Sequence, residues 1–131
     1  MTDQQKLTSV VAEGLSLVLC TGGIDQMLAI ESALCRARLA CVSTRWMTSM
    51  NAIGYARSWV DAMAHRHVED EALVLLARVP TLSMGYRLPF HRIVWIGKPP
   101  SIVHPLYATY KQATNRGEAD TPVLHFNGDY E

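Results

Sequence analysis

Apolar residues cluster in short, nearly unbroken runs, and polar turns separate the runs. Leu15-Ser16-Leu17-Val18-Leu19-Cys20 is the clearest, closed by Gly14 on one side and Thr21-Gly22-Gly23 on the other. A run this short and this apolar predicts a strand buried on both faces. Residues 39–44, 72–77, 91–96 and 122–126 repeat the pattern and predict four more strands.

Between the strands the apolar spacing changes to three and four. Leu7, Val10 and Val11 predict a helix over residues 6–13, stopped by Gly14. Met27, Leu28, Ile30, Ala33 and Leu34 predict a second, with Asp25 placed to cap it. Ile53, Ala56, Trp59, Val60 and Met63 predict a third over residues 51–67, capped by Asn51. A fourth is expected over residues 103–116, with Pro105 in its first turn. Strands alternating with helices imply α/β architecture: a mainly parallel sheet with helices on both faces. At 131 residues the chain suits a single domain, residues 1–131.

Composition narrows the function classes. Hydrophobic residues make up 49% of the chain, enough for a core and too many for disorder. Lys+Arg and Asp+Glu are both 12, so no global field draws in nucleic acid. Most basic residues are arginines, which leaves room for a local arginine-rich groove. Cys20, Cys35 and Cys41 do not form a disulfide framework, and Cys20 and Cys41 read as small core residues. His65 and His67 point to different helix faces, which argues against a metal pair. Trp59 and Trp95 read as core, and Trp46 as a partly exposed residue suited to base stacking or a protein contact. With no signal peptide and no membrane-length apolar run, the expected location is cytoplasmic, with no membrane partner.

In parallel sheets a ligand lies beyond the carboxyl ends of the strands. That rule selects Thr21 and Gly22 after the first strand and Ser43, Thr44 and Arg45 after the second. It also selects Arg78 and Ser83 after the third, and Lys98 after the fourth. Small hydroxyls and bare backbone suit phosphate contacts, and Arg45, Arg78 and Lys98 can neutralise phosphate charge. The nucleic-acid-binding set is therefore Thr21, Gly22, Thr44, Arg45, Arg78, Ser83 and Lys98. Cap and turn roles account for the same hydroxyls, and solvated surface charge for the same cations.

From residue 73 onward the order of elements becomes more specific. A strand leads to Ser83-Met84-Gly85-Tyr86-Arg87-Leu88-Pro89. A further strand leads to Lys98-Pro99-Pro100, and then Tyr107-Ala108-Thr109-Tyr110-Lys111-Gln112-Ala113-Thr114-Asn115-Arg116 follows. The series resembles the carboxyl-terminal RecA-like domain, the second motor domain, of superfamily 2 helicases and translocases. The resemblance implies a three-layer RecA-like fold. It also implies that Gln112 and Arg116 match the Gln and first arginine of the family's arginine motif, which reaches ATP across a domain interface. Glu118 stands where a second arginine would follow, and a carboxylate there repels a triphosphate. Arg87 replaces the acidic residue of the glycine loop.

No G-x-x-x-x-G-K-[ST] cradle occurs in the chain. The expectation is a helicase-like domain with no cofactor by itself, using ATP only if a partner domain completes the site. It would work through a protein partner, either as a split motor subunit or as a mimic of a motor. Single- or double-stranded nucleic acid is the other expected partner class. A small nucleotide-binding protein of flavodoxin or Rossmann type is the third reading, and the absence of G-x-G-x-x-G after the first strand counts against it.

Overall fold

The computed structural model describes residues 3–43, 73–78, 91–114 and 122–126. Five strands are described: β1 (Leu15–Cys20), β2 (Ala40–Ser43), β3 (Leu73–Arg78), β4 (Arg92–Ile96) and β5 (Val123–Phe126). Three helices accompany them: α1 (Asp3–Val10), α2 (Ile24–Arg36) and α3 (Tyr107–Thr114). The expected helix over residues 51–67 lies outside the described residues.

The sheet runs in the order β2-β3-β1-β4-β5, and every pairing is parallel. β1 sits in the middle and pairs on both edges, Leu17 with Leu75 on one side and with Ile93 on the other. That position explains its composition. Both faces are covered, so Leu17, Val18, Leu19 and Cys20 are all fully buried.

The pleat divides the core. Val18, Cys20, Val74, Leu76, Val94 and Ile96 join Leu7 of α1, Val11 just after it, and Met27, Ile30 and Leu34 of α2 in one cluster. Trp95 belongs to the opposite face, where Tyr110 of α3 meets it edge-on at 4.8 Å between ring centroids. Helices therefore cover both faces, as the alternation of elements predicts.

Helix boundaries depart from expectation. α1 begins at Asp3 and ends at Val10, so it overlaps the expected residues 6–13 but is shifted about three residues toward the amino terminus. α2 is capped by Gly23, which makes no side-chain cap bond, and Asp25 lies inside the first turn. Gln26 reaches back past the cap: the Gly22 N–H donates to its Oε1 at 2.8 Å and fixes the turn before the helix. Leu28 is 39% exposed and faces outward, not into the core.

The other end of α2 closes with paired backbone bonds, Arg38 N–H to Cys35 O and Leu39 N–H to Leu34 O, both 3.0 Å. This is a Schellman turn. Its left-handed position holds Arg38 at φ 59° instead of the usual glycine. α3 is shorter than residues 103–116. His104 N–H donates to Ser101 O and Tyr107 N–H to His104 O, so turns occupy the stretch around Pro105 and the helix starts two residues later.

At the amino ends of the strands Arg92 acts as a staple. Its guanidinium donates to the Glu13 carbonyl and to Ser16 Oγ, the latter at 2.9 Å. Ser16 is fully buried, so this bond gives its hydroxyl a partner away from water.

Candidate functional site

The strand order reverses at β1. The chain leaves β1 toward β2 on one side and leaves β4 toward β5 on the other. The crevice between such diverging connections is the usual ligand position in an open α/β sheet. Here it lies beyond Cys20 and Ile96, the last paired residues of β1 and β4.

A cleft of about 320 Å³ occupies that place. Its described lining comprises Thr21, Trp95, the segment Gly97-Lys98-Pro99-Pro100-Ser101, His104 and Leu106. A larger hollow of about 500 Å³ lies at the amino end of β2, against Glu31, Cys35, Arg38 and Cys41, away from the strand carboxyl ends. Burial pushes the Cys41 thiol up to about 11, so it stays protonated near neutrality and is a poor nucleophile.

Two hydrogen bonds and one glycine shape the cleft. The Thr21 hydroxyl donates to the Ile96 carbonyl at 2.7 Å and joins the ends of β1 and β4. The Gly97 N–H donates to the Phe126 carbonyl and joins β4 to β5. Gly97 itself has φ 131°, a conformation open to glycine and strained for other residues. A Cβ there would lie 3.3 Å from Thr21 Oγ1 and 3.6 Å from Trp95 Nε1. The missing side chain therefore leaves only backbone against the indole Nε1 edge of Trp95, which is buried in the cleft wall.

His104 adds orientation. Its Nδ1 accepts the Leu106 N–H at 3.0 Å, so the neutral ring carries its proton on Nε2 and presents a donor there. Ile102, Val103 and Leu106 follow, exposed by 76%, 87% and 46%. Three aliphatic side chains in water within five residues form an unusual surface for a polar turn.

Beside the cleft, Tyr110 OH and His125 Nε2 are 2.7 Å apart. Burial lowers His125 below the usual histidine range. Burial, and then the neighbouring Tyr107, raise Tyr110. The pair holds α3 to β5 on the Trp95 side of the sheet.

Of the residues selected from the sequence, Thr21 and Lys98 come together in the cleft. Gly22 lies next to Thr21, but Gln26 already engages its N–H. Arg78 ends β3 opposite Cys20 of β1, on the neighbouring strand end. Gln112 lies within α3. Thr44, Arg45, Ser83 and Arg116 lie outside the described residues, as do Trp46, His65, His67, Arg87 and Glu118.

Trp95, His104 and the aliphatic trio were not among the selected residues. Pro99-Pro100 followed by Ile102-Val103 was the available signal, since prolines this close oppose a helix and leave the apolar pair without one. Among the described residues no group of three or more His, Cys, Asp or Glu could hold a metal ion. No described helix is long and apolar enough to cross a membrane.

No family model matches this sequence, and no curated protein matches it. One similar solved structure is the crystal structure of the C-terminal part of the Fun30 ATPase domain. It aligns with a TM-score of 0.58 at 13% identity, over 94% of this chain and 38% of that one. This chain has a RecA-like fold. At such low identity the likeness concerns the fold alone, and this RecA-like domain spans well under half of the structure it matches. The five-stranded parallel sheet with helices on both faces is the architecture that the helicase-like resemblance implied.

Proposed function

We propose that this RecA-like domain is a helicase-like second motor half that acts by contact with a protein partner and does not hydrolyse ATP by itself. The observation that carries this reading is the exposed aliphatic segment Ile102, Val103 and Leu106, set beside the cleft at the strand carboxyl ends. Apolar side chains grouped on a surface favour a protein cover, because each gains by leaving water. The sequence supports the loss of autonomous chemistry. It holds no phosphate loop, and Glu118 stands where the resembling family has its second arginine. Gln112 and Arg116 are then a reduced arginine motif, useful to ATP only if a partner domain brings the nucleotide.

The experiment is an ATPase assay on the purified chain, paired with photo-crosslinking from position 103 in the cell of origin. No turnover is expected, together with a discrete crosslinked protein that disappears in an Ile102→Asp, Leu106→Asp double variant. Turnover by the chain alone would overturn the reading.

Thr21 and Lys98 meeting in one cleft favour a second reading, a nucleic-acid contact. Phosphate-dominated binding weakens steeply as salt rises. An anisotropy titration at two salt concentrations, with Lys98→Ala as the control, tests it.

A further inference from the structure

We propose that the cleft between the ends of β1 and β4 seats a carboxylate from an acidic, leucine-rich segment of a partner protein. Trp95 and Lys98 would receive the charge, and Ile102, Val103 and Leu106 the flanking aliphatic side chains. The proposal rests on the contact reading above and names the partner surface.

The first observation is Trp95. Its side chain is 1% exposed, and its Nε1 edge faces Gly97 on the cleft wall. Among the described residues nothing accepts its N–H. A buried donor without an acceptor is a cost that folding rarely leaves in place, so this N–H is suited to an oxygen that enters the cleft.

The second is the sign of the lining. Lys98 is the one charged side chain among the described lining residues, and it is a cation. Ser101 contributes a hydroxyl, and His104 contributes its Nε2–H because Nδ1 is occupied by Leu106. The Thr21 hydroxyl proton is already committed to Ile96. The set is rich in donors and carries no described carboxylate, which suits an oxyanion.

The third is the rim, and it chooses between oxyanions. A phosphodiester backbone would satisfy the donors yet set charged groups beside three exposed aliphatic side chains. A peptide that alternates acidic and aliphatic residues satisfies both halves.

The test is fluorescence anisotropy on the full chain with three fluorescein-labelled probes. These are a blocked peptide alternating leucine and aspartate, the same peptide with asparagine for each aspartate, and a short oligothymidylate. The aspartate peptide is expected to bind about tenfold more tightly than the asparagine peptide, as charge-assisted bonds require. Lys98→Ala, at an exposed position, is expected to remove that difference. An Ile102→Ser, Val103→Ser double variant is expected to weaken both peptides.

Equal binding of the two peptides, binding of neither, or displacement of the aspartate peptide by oligothymidylate would each overturn the assignment. Those failures leave the contact reading standing if position 103 still crosslinks a protein. ATP turnover by the pure chain removes the contact reading without touching the peptide result.

Discussion

The hydroxyl of Thr21 and the carbonyl of Ile96, 75 positions apart in the chain, are joined by one hydrogen bond of 2.7 Å. It fastens the two strand ends from which the chain departs in opposite directions. Thr21→Val keeps the shape and removes the donor. A loss of about 1 kcal/mol is expected in urea unfolding, with Thr21→Ser retaining most of it. Ligand binding in the cleft should fall more in the valine variant than its stability loss alone accounts for.

Gly97 controls the same place through its backbone. At φ 131° an alanine is strained, and its Cβ would press on Thr21 Oγ1 at 3.3 Å. Gly97→Ala is expected to destabilise the domain by about 1–3 kcal/mol. Thermal melting of the variant beside the parent chain measures this. An unchanged melting temperature would show that the turn adopts another conformation.

Arg38 offers the opposite case. It holds the left-handed position of the Schellman turn after α2, where glycine meets no steric penalty. Its side chain is exposed. Arg38→Gly is expected to stabilise the chain by up to about 1 kcal/mol, whereas Arg38→Val should destabilise it. Paired denaturation curves decide the sign.

His125 ties stability to pH. Burial disfavours its charged form in the folded chain, so its folded pKa lies below the ordinary 6.5. The unfolded chain takes the proton first as pH falls. The stabilisation is therefore complete above the ordinary histidine range and is lost as pH falls through it. Urea unfolding at about pH 7.5 and about pH 5.5 should show a drop that shrinks in His125→Gln. A parent chain that gains stability on acidification by the same amount as the variant would contradict this.

The strands were legible because burial on both faces writes itself as an unbroken apolar run. The expected bounds of the first strand match β1 without change, and the others differ by a residue or two. Helix ends were less legible because side-chain and backbone bonds compete for them. Asp25 has the chemistry of a cap, yet Gly23 holds the cap position and Asp25 falls inside the first turn. Pro105 fits a first helical turn, yet the backbone bonds from His104 and Tyr107 place turns there.

The order β2-β3-β1-β4-β5 was not legible, since no local pattern records which strands lie side by side. The cleft follows from that order. Thr21 and Lys98 could be selected one by one, by the rule that ligands lie at strand carboxyl ends. Trp95 could be read only as core, which at 1% exposure it is. Its place in the cleft wall depends on Gly97 setting no side chain against the indole edge, a relation of φ angle and distance.

The central place of β1 also governs the birth of the protein. Its neighbours begin at Leu73 and Arg92, so the ribosome releases β1 long before either exists. Throughout that interval Leu15–Cys20 carries two unpaired edges and two apolar faces. Pairings between distant segments form late and leave such surfaces open to wrong partners. A nascent chain stalled before Leu73 should stay sensitive to protease, and one extended beyond β4 should gain resistance abruptly. The central strand of the finished sheet is thus the one that waits longest for its partners.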